Sequence, residues 1–176
     1  MMNINRKNIL LYEKKYDDQY KDEDRLVEEE MKKLLKRQRY LTRSELIRIG
    51  NWKSRRPERF YRSSDNDNTT VKEVTQFAFG TRSERARIES LFVLKGVSWP
   101  LASVILHFAF PAKYPIMDFR TVWSLGCEQP QSYNFAFWEK YCRKMRGISG
   151  KYNLPIRTVE KALWKYSKHH QQPRSH

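Results

Sequence analysis

The chain has 176 residues, enough for one compact domain or for two small lobes sharing a core. Its 39% hydrophobic and 14% aromatic content excludes compositional disorder. Lys and Arg number 35 against 20 Asp and Glu, and the resulting formal charge of +15 points to a polyanionic partner, nucleic acid first.

Helical spacing recurs along the sequence while strand-like alternation is scarce, so an all-α fold is expected. Ile9, Tyr12, Tyr16 and Tyr20 form one stripe, Asp22-Glu23-Asp24 interrupts it, and Leu26, Val27, Met31, Leu34 and Leu35 resume it. That pattern predicts two helices or one kinked helix. Thr42-x-x-Glu45 has the form of a capping box opening a short helix through Leu46, Ile47 and Ile49. Next come Trp52-Lys53-Ser54-Arg55-Arg56, an aromatic and basic stretch to Arg62, and a polar loop from Ser63 to Thr69. Thr70-x-x-Glu73 and Thr81-x-x-Glu84 repeat the capping form, predicting helices over 71–79 and 83–93. A tight turn at 94–98 and a helix over 99–109 follow, ended by Pro111 and Pro115. A short helix is expected just after Asp118, then helices near 132–146 and 156–168, with Pro155 in the first turn of the last. The expected organisation is an N-terminal helical extension, 1–40, and a domain over 41–176.

Cys127 and Cys142 lack ligand spacing, and His107, His169, His170 and His176 are scattered, so reduced thiols without a metal or cofactor are expected. No run approaches the about 18 apolar residues of a membrane span. The polar start from Met1 to Leu11, with Arg6 and Lys7, resembles no signal peptide, so a cytoplasmic protein without a membrane partner is expected.

The segment Leu91 to Leu106 carries the most chemical information. Leu91 and Leu94 end one helix, Gly96 permits a turn that a side chain obstructs, and Val97 plugs it. Ala102 is small where two helices approach, and Ile105 and Leu106 continue a buried face. Such a turn aims backbone amides at a phosphate without reading a base. Taken alone, it is equally an ordinary helical hairpin.

Downstream stands Tyr114-Pro-Ile-Met-Asp118-Phe-Arg120. With it, the chain resembles the helix-hairpin-helix DNA glycosylase superfamily, most closely over 81–126. Leu94-Lys95-Gly96-Val97-Ser98 matches that family's hairpin, Ala102 its small residue and Asp118 its catalytic aspartate. The resemblance implies two small helical lobes with a cleft between them, and excision of a modified base flipped out of double-stranded DNA. Bifunctional members carry a lysine six residues after the hairpin leucine and eighteen before the aspartate; here both counts reach Pro100. Proline offers no amine for a Schiff base, so the resemblance implies a monofunctional enzyme that leaves an abasic site; a monomer is expected. Ser98 stands in place of the second hairpin glycine and Lys95 in place of proline. Four cluster cysteines are absent, so the family's iron–sulfur cluster is not expected. Trp52-Lys53-Ser54 and the stretch Arg157 to Ser167 resemble motifs of a short bacterial subgroup.

A carboxylate beside the sugar stabilises the positive charge that develops as a base departs, and it positions or deprotonates the attacking water. An aspartate at a helix start also serves as an N-cap. Arg120 is a candidate for a phosphate contact, for orienting Asp118, or for a surface ion pair. Trp52, Tyr61, Trp99 and Trp123 are candidates for a base pocket, each with a core role as the alternative. Lys53, Arg55, Arg56, Arg59 and Arg62 form a candidate phosphate-binding strip. A non-catalytic helix-hairpin-helix module and a basic structural protein are the competing readings.

Overall fold

The computed structural model describes residues 1–172, and among them the chain forms ten α-helices and one 3-10 helix, with no strand. In order these are α1 (Arg6–Asp17), α2 (Asp22–Arg37), α3 (Arg43–Lys53), α4 (Glu58–Tyr61), α5 (Asn68–Gly80), α6 (Glu84–Glu89), the 3-10 helix (Ser90–Val93), α7 (Trp99–Ala109), α8 (Phe119–Ser124), α9 (Phe135–Tyr152) and α10 (Ile156–His170). None of the described helices is long and apolar enough to cross a membrane.

The caps explain where these helices begin. Thr42 opens α3 with the expected box: its hydroxyl accepts the Glu45 amide at 3.4 Å, and the Glu45 carboxylate takes the Thr42 amide at 2.7 Å. The other two boxes are replaced by nearby caps. Asp67 opens α5 one turn early, accepting the Thr70 amide at 2.9 Å and the Thr70 hydroxyl at 2.8 Å, so Thr70 lies inside the first turn. Ser83 caps α6 through the Ala86 amide at 3.2 Å, and Thr81 closes α5 instead. The helix expected over 83–93 changes at Glu89 to 3-10 geometry. Helix α4 arises within the aromatic and basic stretch, where no helix was expected. Asn134 starts α9, which continues past 146 to end at Asn153 in the left-handed conformation (φ 50°). Pro155 stands just outside α10, at its N-cap.

The chain divides into two compact units, residues 21–114 and residues 1–20 together with the chain from Pro115 onward. The stretch 1–40 is thus shared between them, α1 in one and α2 in the other.

In the unit formed by 21–114, α7 is the central element: every side chain from Leu101 to Phe108 is buried. A helix apolar on all sides needs neighbours all round, and α2, α3 and α6 pack against it. Met31 and Leu35 of α2, Leu46 and Ile49 of α3, and Leu91 and Leu94 ahead of the turn complete this core. Truncating one such side chain to alanine costs about 2–5 kcal/mol. From α7, the His107 ring nitrogen Nδ1 meets the carbonyl of Tyr114, beyond the helix end, at 2.8 Å. The Glu84 carboxylate binds Lys113 and the Tyr114 hydroxyl, both at 2.7 Å.

In the other unit α1, α8 and α9 pack on α10. Ile9, Val122, Leu125, Trp138, Met145, Val159 and Leu163 are buried there. Polar links join α1 to α10: Lys161 meets Asp17 at 2.8 Å, the Thr158 hydroxyl donates to Glu13 at 2.8 Å, and Lys165 reaches Gln19 just beyond α1. Arg157 and Glu160 form a buried ion pair within α10. The Ser124 hydroxyl donates to the Leu163 carbonyl at 2.6 Å, tying α8 down.

Candidate functional site

The turn at 94–98 is built from inside outward. Leu91, Leu94, Leu101 and Ala102 fix both flanks in the core. Between them Gly96 takes a positive φ of 83°, a conformation that L side chains rarely adopt. Ser98 is the N-cap of α7, yet its hydroxyl makes no capping bond, and Pro100 in the first turn has no amide to offer. Among the described residues the amides of Gly96, Ser98 and Trp99 meet no acceptor. They lie at the positive end of an 11-residue helix, beside the exposed Lys95 side chain. An anion is what such a surface attracts.

A buttress holds this turn from below. Asn66, fully buried, accepts the Lys95 amide at 2.8 Å and donates to the carbonyls of Lys95, Phe60 and Tyr61 at 3.0, 3.2 and 3.2 Å. The Tyr61 ring fills the space between two glycines. A Cβ at Gly50 of α3 stands 2.5 Å from the ring, and one at Gly96 stands 2.8 Å from it. Neither Asn66 nor Gly50 was singled out from sequence. Asn66 sits in an Asp-Asn-Asp-Asn run that reads as polar loop, and its partner is 29 residues away.

Three residues expected at a DNA or base contact turn inward in this unit. Tyr61, expected in a base pocket, is 2% exposed and packs under the turn. Val97 is buried, and its amide is spent on the Leu94 carbonyl at 3.1 Å. Half-buried Trp52 donates its indole N–H to the Asp24 carbonyl at 2.9 Å and sets its ring edge on Phe108, 5.0 Å between centroids. Trp99 is half-buried against Phe92, with centroids 4.8 Å apart. Lys53 is half-buried at the end of α3, while Arg55, Arg56, Arg59 and Arg62 are exposed. Arg62 is paired with Glu58 at 2.7 Å. Exposed Phe60, its ring 4.7 Å from the Arg59 guanidinium, places its Cβ 2.9 Å from where a Gly96 Cβ stands.

Asp118 belongs to the other unit. Buried Ile116 and Met117 anchor the segment before it, and Asp118 itself is half-buried as the N-cap of α8. Its Oδ1 accepts the Arg120 amide at 3.0 Å, and the Thr121 hydroxyl oxygen accepts the Asp118 amide at 3.2 Å. The Thr121 hydroxyl lies 2.7 Å from the Asp118 carbonyl and 3.0 Å from the Tyr141 hydroxyl. Tyr141, buried on α9, donates to the Ile116 carbonyl at 2.7 Å. Burial pushes the Tyr141 phenol well above its ordinary value, against a smaller lowering by Thr121, so it stays a neutral donor. Two buried hydroxyls thus fix the backbone on both sides of one half-buried carboxylate.

Arg120 lays its guanidinium over the rings of Phe119 at 4.8 Å and Trp164 at 5.7 Å. Trp123 stacks on Tyr166, centroids 6.1 Å apart and planes 27° from parallel. Both are half-buried, each with a partner within its own unit.

Among the described residues no group of three or more His, Cys, Asp or Glu is arranged to hold a metal ion. Neither Cys127 nor Cys142 is in a disulfide, and His176 lies outside the described residues. No protein-family model matches the chain, and neither does a curated protein or a solved structure.

Proposed function

We propose that the chain is a monofunctional DNA glycosylase of the helix-hairpin-helix type, acting in repair or in defence against phage. The observation that carries this reading is the turn at 94–98, with unpaired amides at the start of α7, in sequence register with a half-buried carboxylate at the start of α8. In this reading the amides of Gly96 and Ser98, with Lys95, grip one phosphate and hold the duplex without reading sequence. The modified nucleotide leaves the stack, and Asp118 faces its sugar. As the N-glycosidic bond lengthens, the carboxylate balances the charge growing on the sugar and orients the water that replaces the base. Arg120, on the helix that Asp118 caps and held over the rings of Phe119 and of Trp164 from α10, supplies a second cation near the backbone. Pro100 lacks an amine, so the reaction stops at the abasic site.

The test is base release from duplexes carrying alkylated purines, oxidised guanine, mismatched adenine or hypermodified cytosine. Asp118→Asn is a clean variant, because asparagine caps a helix as well as aspartate does. It is expected to keep DNA binding and lose base release by ~10²-fold or more, equivalent to ~2.7 kcal/mol of barrier. A second reading is favoured by the N-cap itself. If the Asp118 carboxylate serves only α8, the chain is a non-catalytic DNA tether. Base release by Asp118→Asn at the wild-type rate removes Asp118 from the mechanism. No release from any duplex by wild type leaves the tether.

A further inference from the structure

Helix α9 carries a surface that nothing inside the chain explains. Its inner side is Trp138, Tyr141, Cys142 and Met145. The opposite side presents Ala136, Lys140, Arg143, Gly147, Gly150 and Lys151, all exposed. Lys140 and Lys151 meet no carboxylate among the described residues, and Arg143 meets only Glu139, at 3.4 Å. Lys144 borders the strip, donating to the Leu125 carbonyl at 3.0 Å.

The two glycines sharpen the question. Both lie inside an 18-residue helix, where glycine is less favourable than alanine. Neither takes a positive φ, and a Cβ built at either meets nothing within 4 Å. The fold therefore asks for glycine at neither position. Their effect is external: bare backbone lies between cations, where a bulky polyanion can approach closely.

We propose that the outer face of α9 seats on the sugar-phosphate backbone of duplex DNA, as a contact additional to the turn at 94–98. The inference rests on the DNA-binding part of the function proposed above. Lys140 and Lys151 are separated by about 16 Å of helix axis, a length over which a duplex carries on the order of nine phosphate charges. A helix lying on a lipid surface needs large apolar side chains beside its cations. Here the exposed positions from Lys140 to Lys151 are basic residues and glycines, with no large apolar side chain among them, which favours the nucleic acid over a membrane.

The experiment uses the full chain, a short unmodified duplex and fluorescence anisotropy across a range of salt. The triple variant Lys140→Gln, Arg143→Gln, Lys151→Gln is expected to bind roughly tenfold more weakly at low salt, its log–log salt slope smaller by about 2–3. The double variant Gly147→Ala, Gly150→Ala is expected to melt higher, by about 2–4 °C per glycine, yet to bind DNA several-fold more weakly. Glycines with a purely structural part cannot produce that opposition. The inference is overturned if either variant binds DNA as wild type does. With Lys95→Gln still weakened, that result leaves the DNA-binding reading standing. It is also overturned if the triple variant loses binding only to vesicles of phosphatidylserine and phosphatidylcholine. A wild-type protein that binds no duplex at low salt overturns both readings together.

Discussion

Asn66 holds Lys95 by both of its backbone polar groups, accepting its amide at 2.8 Å and donating to its carbonyl at 3.0 Å. The consequence is a division of labour in the turn. The Lys95 amide is consumed internally, so the amides of Gly96, Ser98 and Trp99 are the ones left to an anion.

Removing this clamp should loosen the turn without emptying the hydrophobic core. Asn66→Ala leaves the Lys95 amide and three carbonyls without their buried partner. A loss of about 2–4 kcal/mol is expected from groups of that kind. Thermal unfolding measures the loss, and amide hydrogen exchange at Gly96 should accelerate in the same variant. An unchanged melting temperature would show that the turn is held by packing alone.

The ring beneath the turn makes a second prediction. Gly50→Ala and Gly96→Ala both drive a methyl group into the Tyr61 ring, and Gly96 adds its positive φ. Each should cost about 1–3 kcal/mol. Pairing Gly50→Ala with Tyr61→Leu frees the contested space, so the double variant should lose less than the sum of the two single variants. Strict additivity, measured by chemical denaturation, would mean that the helix shifts away from the ring.

Much of this arrangement is legible in the sequence, and the illegible part has a common cause. Helix-start signals and the Gly96 turn are local, so Thr42, Asp118 and the hairpin could be read from neighbouring residues. Thr70 and Thr81 misled because a hydroxyl three residues before a carboxylate is only one way to satisfy a first turn. Asp67 and Ser83 reach the same amides from better positions. Trp52 and Tyr61 mark the limit of composition. An aromatic near a basic stretch carries no sign of direction, and here Asp24, Phe108 and the paired glycines draw both rings inward. Asn66 was invisible because its meaning depends wholly on a residue distant in sequence.

Tyr141 gives the fold a dependence on alkaline pH. Its phenol is raised, chiefly by burial, so the unfolded chain loses that proton first, near pH ~10. The stability tied to the neutral phenol is complete below the unfolded value and is lost as pH rises through the folded one. Stability should therefore fall above about pH 10, and Tyr141→Phe should fall less steeply over that range despite starting lower. Urea denaturation at stepped pH tests this; parallel curves for the two proteins would remove Tyr141 from the effect.

The proposed chemistry predicts its product. Wild-type protein acting on its substrate should leave an intact strand with an abasic site, nicked only by later alkali. Borohydride should trap no covalent complex, because position 100 is proline. A trapped band would require another amine in the reaction, with Lys95 and Lys113 the first to replace.

The pairing of α1 with α10 also fixes an order of events on the ribosome. The segment 21–114 is continuous and carries its own buried helix α7, so it is fully synthesised while α10 does not yet exist. Helix α1 emerges earlier still, but the helix it lies against begins about 140 residues later in the chain. At common elongation rates it waits on the order of ten seconds with Ile9 uncovered. A nascent chain halted before Ile156 thus holds one unit whole and only the scattered beginnings of the other.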